Sequence, residues 1–137
     1  MMGVSMVFPN LPVADVKAAT DFYVGLGFTI NPMFSDDSTS CVVVNDQVAI
    51  MLLQTERFQG FLPEGAETIV GGNRHESTTA LLLGSTEEVD EITAKAEAGG
   101  GRIHRPAEAN EFGMYGSAFD DLDGHLWEVF YMASPEA

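Results

Sequence analysis

Asp15-Val16-Lys17-Ala18-Ala19-Thr20, running on to Gly27 and Ile30, can be laid over Glu88-Val89-Asp90-Glu91-Ile92-Thr93, running on to Gly100 and Ile103. Val16 and Val89, Thr20 and Thr93, Gly27 and Gly100, Ile30 and Ile103 all pair at one offset of 73 residues. The first copy carries Val16, Ala19, Tyr23 and Leu26; the second carries Val89, Ile92, Ala96 and Gly99. Spacing of i, i+3, i+7 and i+10 puts such residues on one face of a helix. Glycine stops both helices, where a left-handed residue is expected. Shared periodicity and shared stops make duplication a better account than chance.

Working outward, each helix is flanked by strand patterns. Val4 to Pro9 precedes the first; Phe28 to Phe34, Ser40 to Val44 and Val48 to Leu53 follow it, with Asn45-Asp46 as the last turn. Thr78 to Leu83 precedes the second helix; Arg102 to Arg105, Tyr115 to Phe119 and Leu126 to Met132 follow, with Asp123-Gly124 as a hairpin turn. Each half reads β-α-β-β-β. Glu56 to Glu76 has no clear period and reads as the linker, and Pro106 to Gly113 as a second irregular loop. Either loop suits a binding lid as well as a disordered linker.

Composition limits the function. Apolar residues make up 45% and charged residues 20%, the mix of a chain that packs a core. There are 21 acids against 6 bases, a formal charge of −15. That surface repels phosphate backbones and anionic lipid, so neither nucleic acid nor membrane is expected as a partner. It attracts cations. No apolar run approaches the ~20 residues of a membrane span, and Met1 to Phe8 lacks the pattern of a signal peptide. Cys41 stands alone, which excludes an internal disulfide and points to a reducing compartment, the cytoplasm.

Two stretches then carry a resemblance. Asn10-Leu11-Pro12-Val13-Ala14-Asp15-Val16, followed by Phe22-Tyr23 and Leu26-Gly27-Phe28, resembles the opening of vicinal oxygen chelate proteins. Asp121-Leu122-Asp123-Gly124-His125-Leu126-Trp127-Glu128 resembles their closing hairpin. That superfamily includes glyoxalase I, extradiol dioxygenases and the fosfomycin- and bleomycin-resistance proteins. The resemblance implies an α+β chain of two tandem βαβββ modules whose mixed sheet curves around a U-shaped cleft. The whole chain, 1–137, then forms one domain: module 1 over about 1–55, linker about 56–76, module 2 about 77–133. It also implies a homodimer, since lone modules leave sheet edges exposed.

Metal-dependent members hold a divalent ion with histidines and glutamates on four strands, where it acts as a Lewis acid. Carried over one by one, those positions fall on Phe8, Met51, Thr78 or a neighbour, and Glu128. A lone carboxylate cannot hold a catalytic ion, so no cofactor is expected. His75, or ligands from a second subunit, would have to join Glu128 if a divalent metal were bound. His125, three residues from Glu128, points to the other face of its strand, and His104 lies where the family has no ligand. Asp120, Asp121 and Asp123 lack the pattern of a calcium loop and read as a turn. Cys41, in an apolar run, reads as a buried, inert thiol.

The resemblance turns Glu128 into the cleft together with Phe8, Met51 and Phe130, and Tyr115, Phe58 and Phe61 are expected to reach the same place. Aromatic walls with one acid suit a flat or cationic molecule. Such a carboxylate needs a partner, because an unpaired charge in an apolar pocket is costly. The expectation is a small-molecule binder that sequesters an aromatic or cationic compound without metal. Its alternative is a metal-dependent lyase, isomerase or dioxygenase of the glyoxalase type, and a third option uses Glu128 as a metal-free general base. Packing of Phe8, Met51 and Phe130 into a plain core competes with all three.

Overall fold

A computed structural model describes residues 3–133; residues 1–2 and 134–137, the outer ends of the expected domain span, lie outside them. The chain divides into two compact units, the first ending at Gly72 and the second starting at Asn73. The first contains β1 (Asn10–Val13), α1 (Val16–Leu26), β2 (Thr29–Ile30), β3 (Thr39–Val43), β4 (Ala49–Gln54) and a short α2 (Thr55–Gln59). The second contains β5 (Thr78–Leu82), α3 (Thr86–Ala98), β6 (Arg102–Ala109), β7 (Met114–Asp120) and β8 (Leu126–Met132). Their sheets share one topology, β1-β4-β3-β2 and β5-β8-β7-β6. In each, the strand before the helix runs parallel to the last strand and the other pairs are antiparallel. This is an α+β fold of two βαβββ modules.

The duplicated helices form for the reasons their sequence gives. The Asp15 side chain accepts from the Ala18 N–H and opens α1; Ser85 does the same for α3 through Glu88. Gly27 (φ 112°) and Gly100 (φ 101°) take the left-handed conformation that ends each helix. Val16, Ala19, Tyr23 and Leu26 are buried along α1, and Val89, Ile92 and Ala96 along α3. Gly99 is exposed, because it lies past the last turn as the cap of α3. The paired threonines also match: Thr20 donates to the Val16 carbonyl and Thr93 to the Val89 carbonyl, both at 2.6 Å.

Four element boundaries differ from the sequence reading. The first paired strand is Asn10–Val13 rather than Val4 to Pro9. The earlier segment does run beside β4, with Val7 bridged to Val48 and the Pro9 carbonyl accepting from Met51, but Pro9 has no N–H to continue the ladder. The strand expected over Phe28 to Phe34 stops at Ile30, where the Asn31 side chain accepts from Met33 N–H and caps a 3-10 turn over Pro32–Phe34. The linker carries α2, which packs on β1 and β4. Finally, Pro106 to Ala109 is not loop but the outer half of β6. β6 is an edge strand, where a missing N–H is tolerated.

Candidate functional site

Side chains alternate along β7 and β8, and the helix decides which set is buried. Ser117, Phe119, Trp127 and Val129 are 2% exposed or less. The Thr93 and Ser117 hydroxyls, 2.6 Å apart, fix that face against α3. The opposite face is left to Glu128 and Phe130 of β8 and Met114 and Gly116 of β7. With Arg105 and Glu108 of β6 they line a hollow of about 480 Å³, within the size range of small-molecule sites.

Three local features shape this hollow. The β6–β7 register shifts twice, between Ile103 and Arg105 and between Arg105 and Glu108. Shifts of this kind re-aim side chains, and here both Arg105 and Glu108 reach the open face. Second, the Asn110 side-chain oxygen accepts from the N–H groups of Phe112 and Met114. That bond, with Gly113 at φ 80°, closes the β6–β7 turn and holds Phe112 and Met114 at the rim. Third, a Cβ on Gly116 would lie 2.6 Å from the Val129 carbonyl oxygen and 2.9 Å from the Phe130 Cβ. Glycine is therefore required where β7 passes Phe130.

The charges follow from this frame. Glu128 is paired in register with Ala80 on β5 and Ala118 on β7, so only small side chains flank it. Its Oε1 lies 3.7 Å from an Arg105 guanidinium nitrogen, with the two side chains 40% and 47% exposed. The partner that the sequence demanded for Glu128 is Arg105. The Glu108 carboxylate has no ion pair or hydrogen bond among the described residues.

Of the expected site residues, Glu128 and Phe130 meet in this hollow. Tyr115 turns to the other face of β7, where its hydroxyl donates to Asp90 on α3 at 2.6 Å. That bond, then desolvation and the Asp90 charge, push the phenol above its usual range. The reason is register: Met114 and Gly116 hold the open face, so Tyr115 between them cannot. Phe8, Met51 and Phe58 belong to the first unit. Phe8 is exposed before β1, Met51 is half-buried on β4, and Phe58 is half-buried in α2. Phe61 is exposed. His75 is exposed, with its Nε2 3.2 Å from the Asn73 side-chain oxygen, and Thr78 opens β5. Glu108 and Phe112 fall in Pro106 to Gly113, which reads as loop; Arg105 ends the expected strand before it and Met114 lies just beyond it, so no strand face joins the four in a linear reading. The available signal was a rare base, one of 6, on a strand expected to reach it.

A divalent ion of the kind the resemblance implies does not fit these residues. Among the described residues no group of three or more histidines, cysteines, aspartates or glutamates could hold a metal. In the hollow Glu128 faces the Arg105 cation, and the Asn110 oxygen is engaged by two backbone N–H groups. His104 lies 3.3 Å from Asp120, close but unaligned for a hydrogen bond. The Asp121 carboxylate accepts from the N–H groups of Asp123 and His125 and so builds the last turn. Cys41 is buried, and burial pushes its thiol up, away from the reactive thiolate. No helix among the described residues is long and apolar enough to cross a membrane.

Fold and comparison define the class. The family model of the Glyoxalase/Bleomycin resistance protein/Dioxygenase superfamily matches residues 5–129, and the chain belongs to that family. A hypothetical protein from S. aureus is 28% identical with a TM-score of 0.78, over 96% of this chain and 94% of that one. A glyoxalase/bleomycin resistance protein/dioxygenase family enzyme from Burkholderia phytofirmans PsJN is 16% identical with a TM-score of 0.80, over 96% of this chain and 100% of that one. A lactoylglutathione lyase from Agrobacterium tumefaciens is 17% identical with a TM-score of 0.67, over 96% of both chains. Comparison with curated proteins finds no match.

Proposed function

We propose that this family member binds and sequesters an aromatic or cationic small molecule, without a metal, in the hollow on its second sheet. One observation carries the reading. Phe112, Met114 and Phe130 line the same hollow as two half-open or open carboxylates, Glu108 and Glu128. Aromatic and thioether surface offers stacking and burial to a flat ring, and a carboxylate beside it offers a charge-assisted hydrogen bond. The surplus of acids over bases, 21 against 6, favours a cation at long range. The same reading makes the protein a cytoplasmic homodimer: Cys41 is a free thiol, and β5 leaves Leu82 exposed at a sheet edge.

The test is calorimetry with 4-aminoquinolinium, a flat aromatic cation with N–H donors, in the presence of a chelator. Saturable binding is expected, weakened about tenfold by Glu128→Gln and by Phe130→Ala. Absence of saturation, or binding only after Ni, Zn, Mn or Fe is added, would overturn the reading. The second outcome would favour a metal-dependent lyase, isomerase or dioxygenase. Sedimentation velocity tests the homodimer directly.

A further inference from the structure

The cation in the hollow has more to give than its neighbour takes. Arg105 approaches Glu128 at 3.7 Å through one N···O pair, beyond hydrogen-bond range. A guanidinium has five donors in a fixed fork that suits a carboxylate bidentately. Exposed pairs of this kind are weak and easily displaced. Glu128 is the partner Arg105 has among the described residues, so the fork stands largely unspent. On the same strand the Glu108 carboxylate has no partner among the described residues, and both side chains line the hollow.

Register separates these two charges. Arg105 lies opposite Ala118 and Glu108 opposite Gly116, two positions apart on β7, which is about 7 Å along a strand. Between them β7 offers no bulk, since Gly116 has no side chain and Ala118 a single methyl. Phe130, paired with Gly116, supplies an aromatic surface beside that gap. An anion site, a cation site and a flat wall therefore share one hollow.

From this juxtaposition we infer the ligand class: a flat aromatic zwitterion, its ammonium seated by Glu108 and its carboxylate by the fork of Arg105. The inference rests on the binding reading above and narrows it. A ligand with only a cation leaves the Arg105 fork unused, and one with only an anion leaves Glu108 without a partner. A molecule charged at both ends satisfies both and leaves the net charge of the hollow unchanged.

The experiment is calorimetry on the full chain with 4-(aminomethyl)benzoate, benzylamine and benzoate, one ring carrying both charges or either alone. The zwitterion is expected to bind about tenfold more tightly than each single-charge probe, the value of one charged hydrogen bond. Arg105→Gln should erase its advantage over benzylamine, and Glu108→Gln its advantage over benzoate. Both side chains are exposed, so both variants should keep the wild-type circular dichroism. Amide resonances of Gly116 and Phe130 should shift on binding. Benzylamine binding as tightly as the zwitterion, or an unchanged ranking in Arg105→Gln, would overturn the inference and leave the binding reading standing. Failure of all three probes would also overturn it, and the quinolinium titration would then decide the broader reading alone. Shifts confined to residues away from the hollow would overturn it as well.

Discussion

Burial runs nearly unbroken along β3 and β4 of the first unit and alternates along β8 of the second. Thr39, Ser40, Cys41 and Val42 are buried in succession on β3, as are Ala49, Ile50, Leu52 and Leu53 around Met51 on β4. On β8, Trp127 and Val129 are buried while Leu126, Glu128 and Phe130 between and beside them stay half-exposed. The two sheets nevertheless have one strand order and one helix position. A strand buried on both sides carries no charge on either, because an unpaired charge there is costly. The second sheet, open on one face, can carry Arg105, Glu108 and Glu128. Duplication supplied two equal frames, and burial decided which could hold a polar site.

The largest expected effect separates the two units at a glycine. Gly116→Ala drives a Cβ into the Val129 carbonyl and Phe130, and should cost about 2–3 kcal/mol through strain in β7–β8. Gly25→Ala on α1 meets open space and should stabilise by about 0.5–1 kcal/mol. Urea unfolding of both variants measures this; a Gly116→Ala cost below that of an ordinary surface change would break the comparison.

The paired threonines sharpen it further. Thr20 and Thr93 make the same bond to their own helices, but Thr93 also meets the fully buried Ser117 hydroxyl. Thr93→Val leaves Ser117 without that partner and should cost about 1–3 kcal/mol, whereas Thr20→Val should stay within about 0.5 kcal/mol. Equal losses in denaturant midpoints would show that the two helices sit on their sheets alike.

The smallest effect is in pH. Tyr115 holds its proton above the usual 10.0 because the hydroxyl donates to Asp90. A pKa raised by folding gives stability that is full below the unfolded value and is lost as pH rises through the folded one. The urea-midpoint difference between wild type and Tyr115→Phe should hold at neutral pH and fade above the ordinary tyrosine range. A difference constant into strong alkali would remove Asp90 from the account.

Much of this was legible in the chain itself. Asp15 and Gly27, with their stripe, define α1; Val89 to Gly100 define α3; the alternation of Leu126 to Met132 gives β8 with its two faces. These signals are local, each set by a cap, a left-handed glycine or a period. Glu128 and Phe130 could be placed together because they share one strand face. Arg105 and Glu108 could not, since Pro106 interrupts the pattern and two register shifts, invisible in a linear reading, turn both onto the open side.

The sequence by itself determined the repeat, the helices with their stops, and the composition that sets a strongly acidic surface. Tertiary structure alone decided which face of the second sheet stays open, which cation meets Glu128, and that Tyr115 turns to Asp90. The physical reason is that caps and periodicity act over a few residues, while pairing register and burial depend on strands distant in the chain.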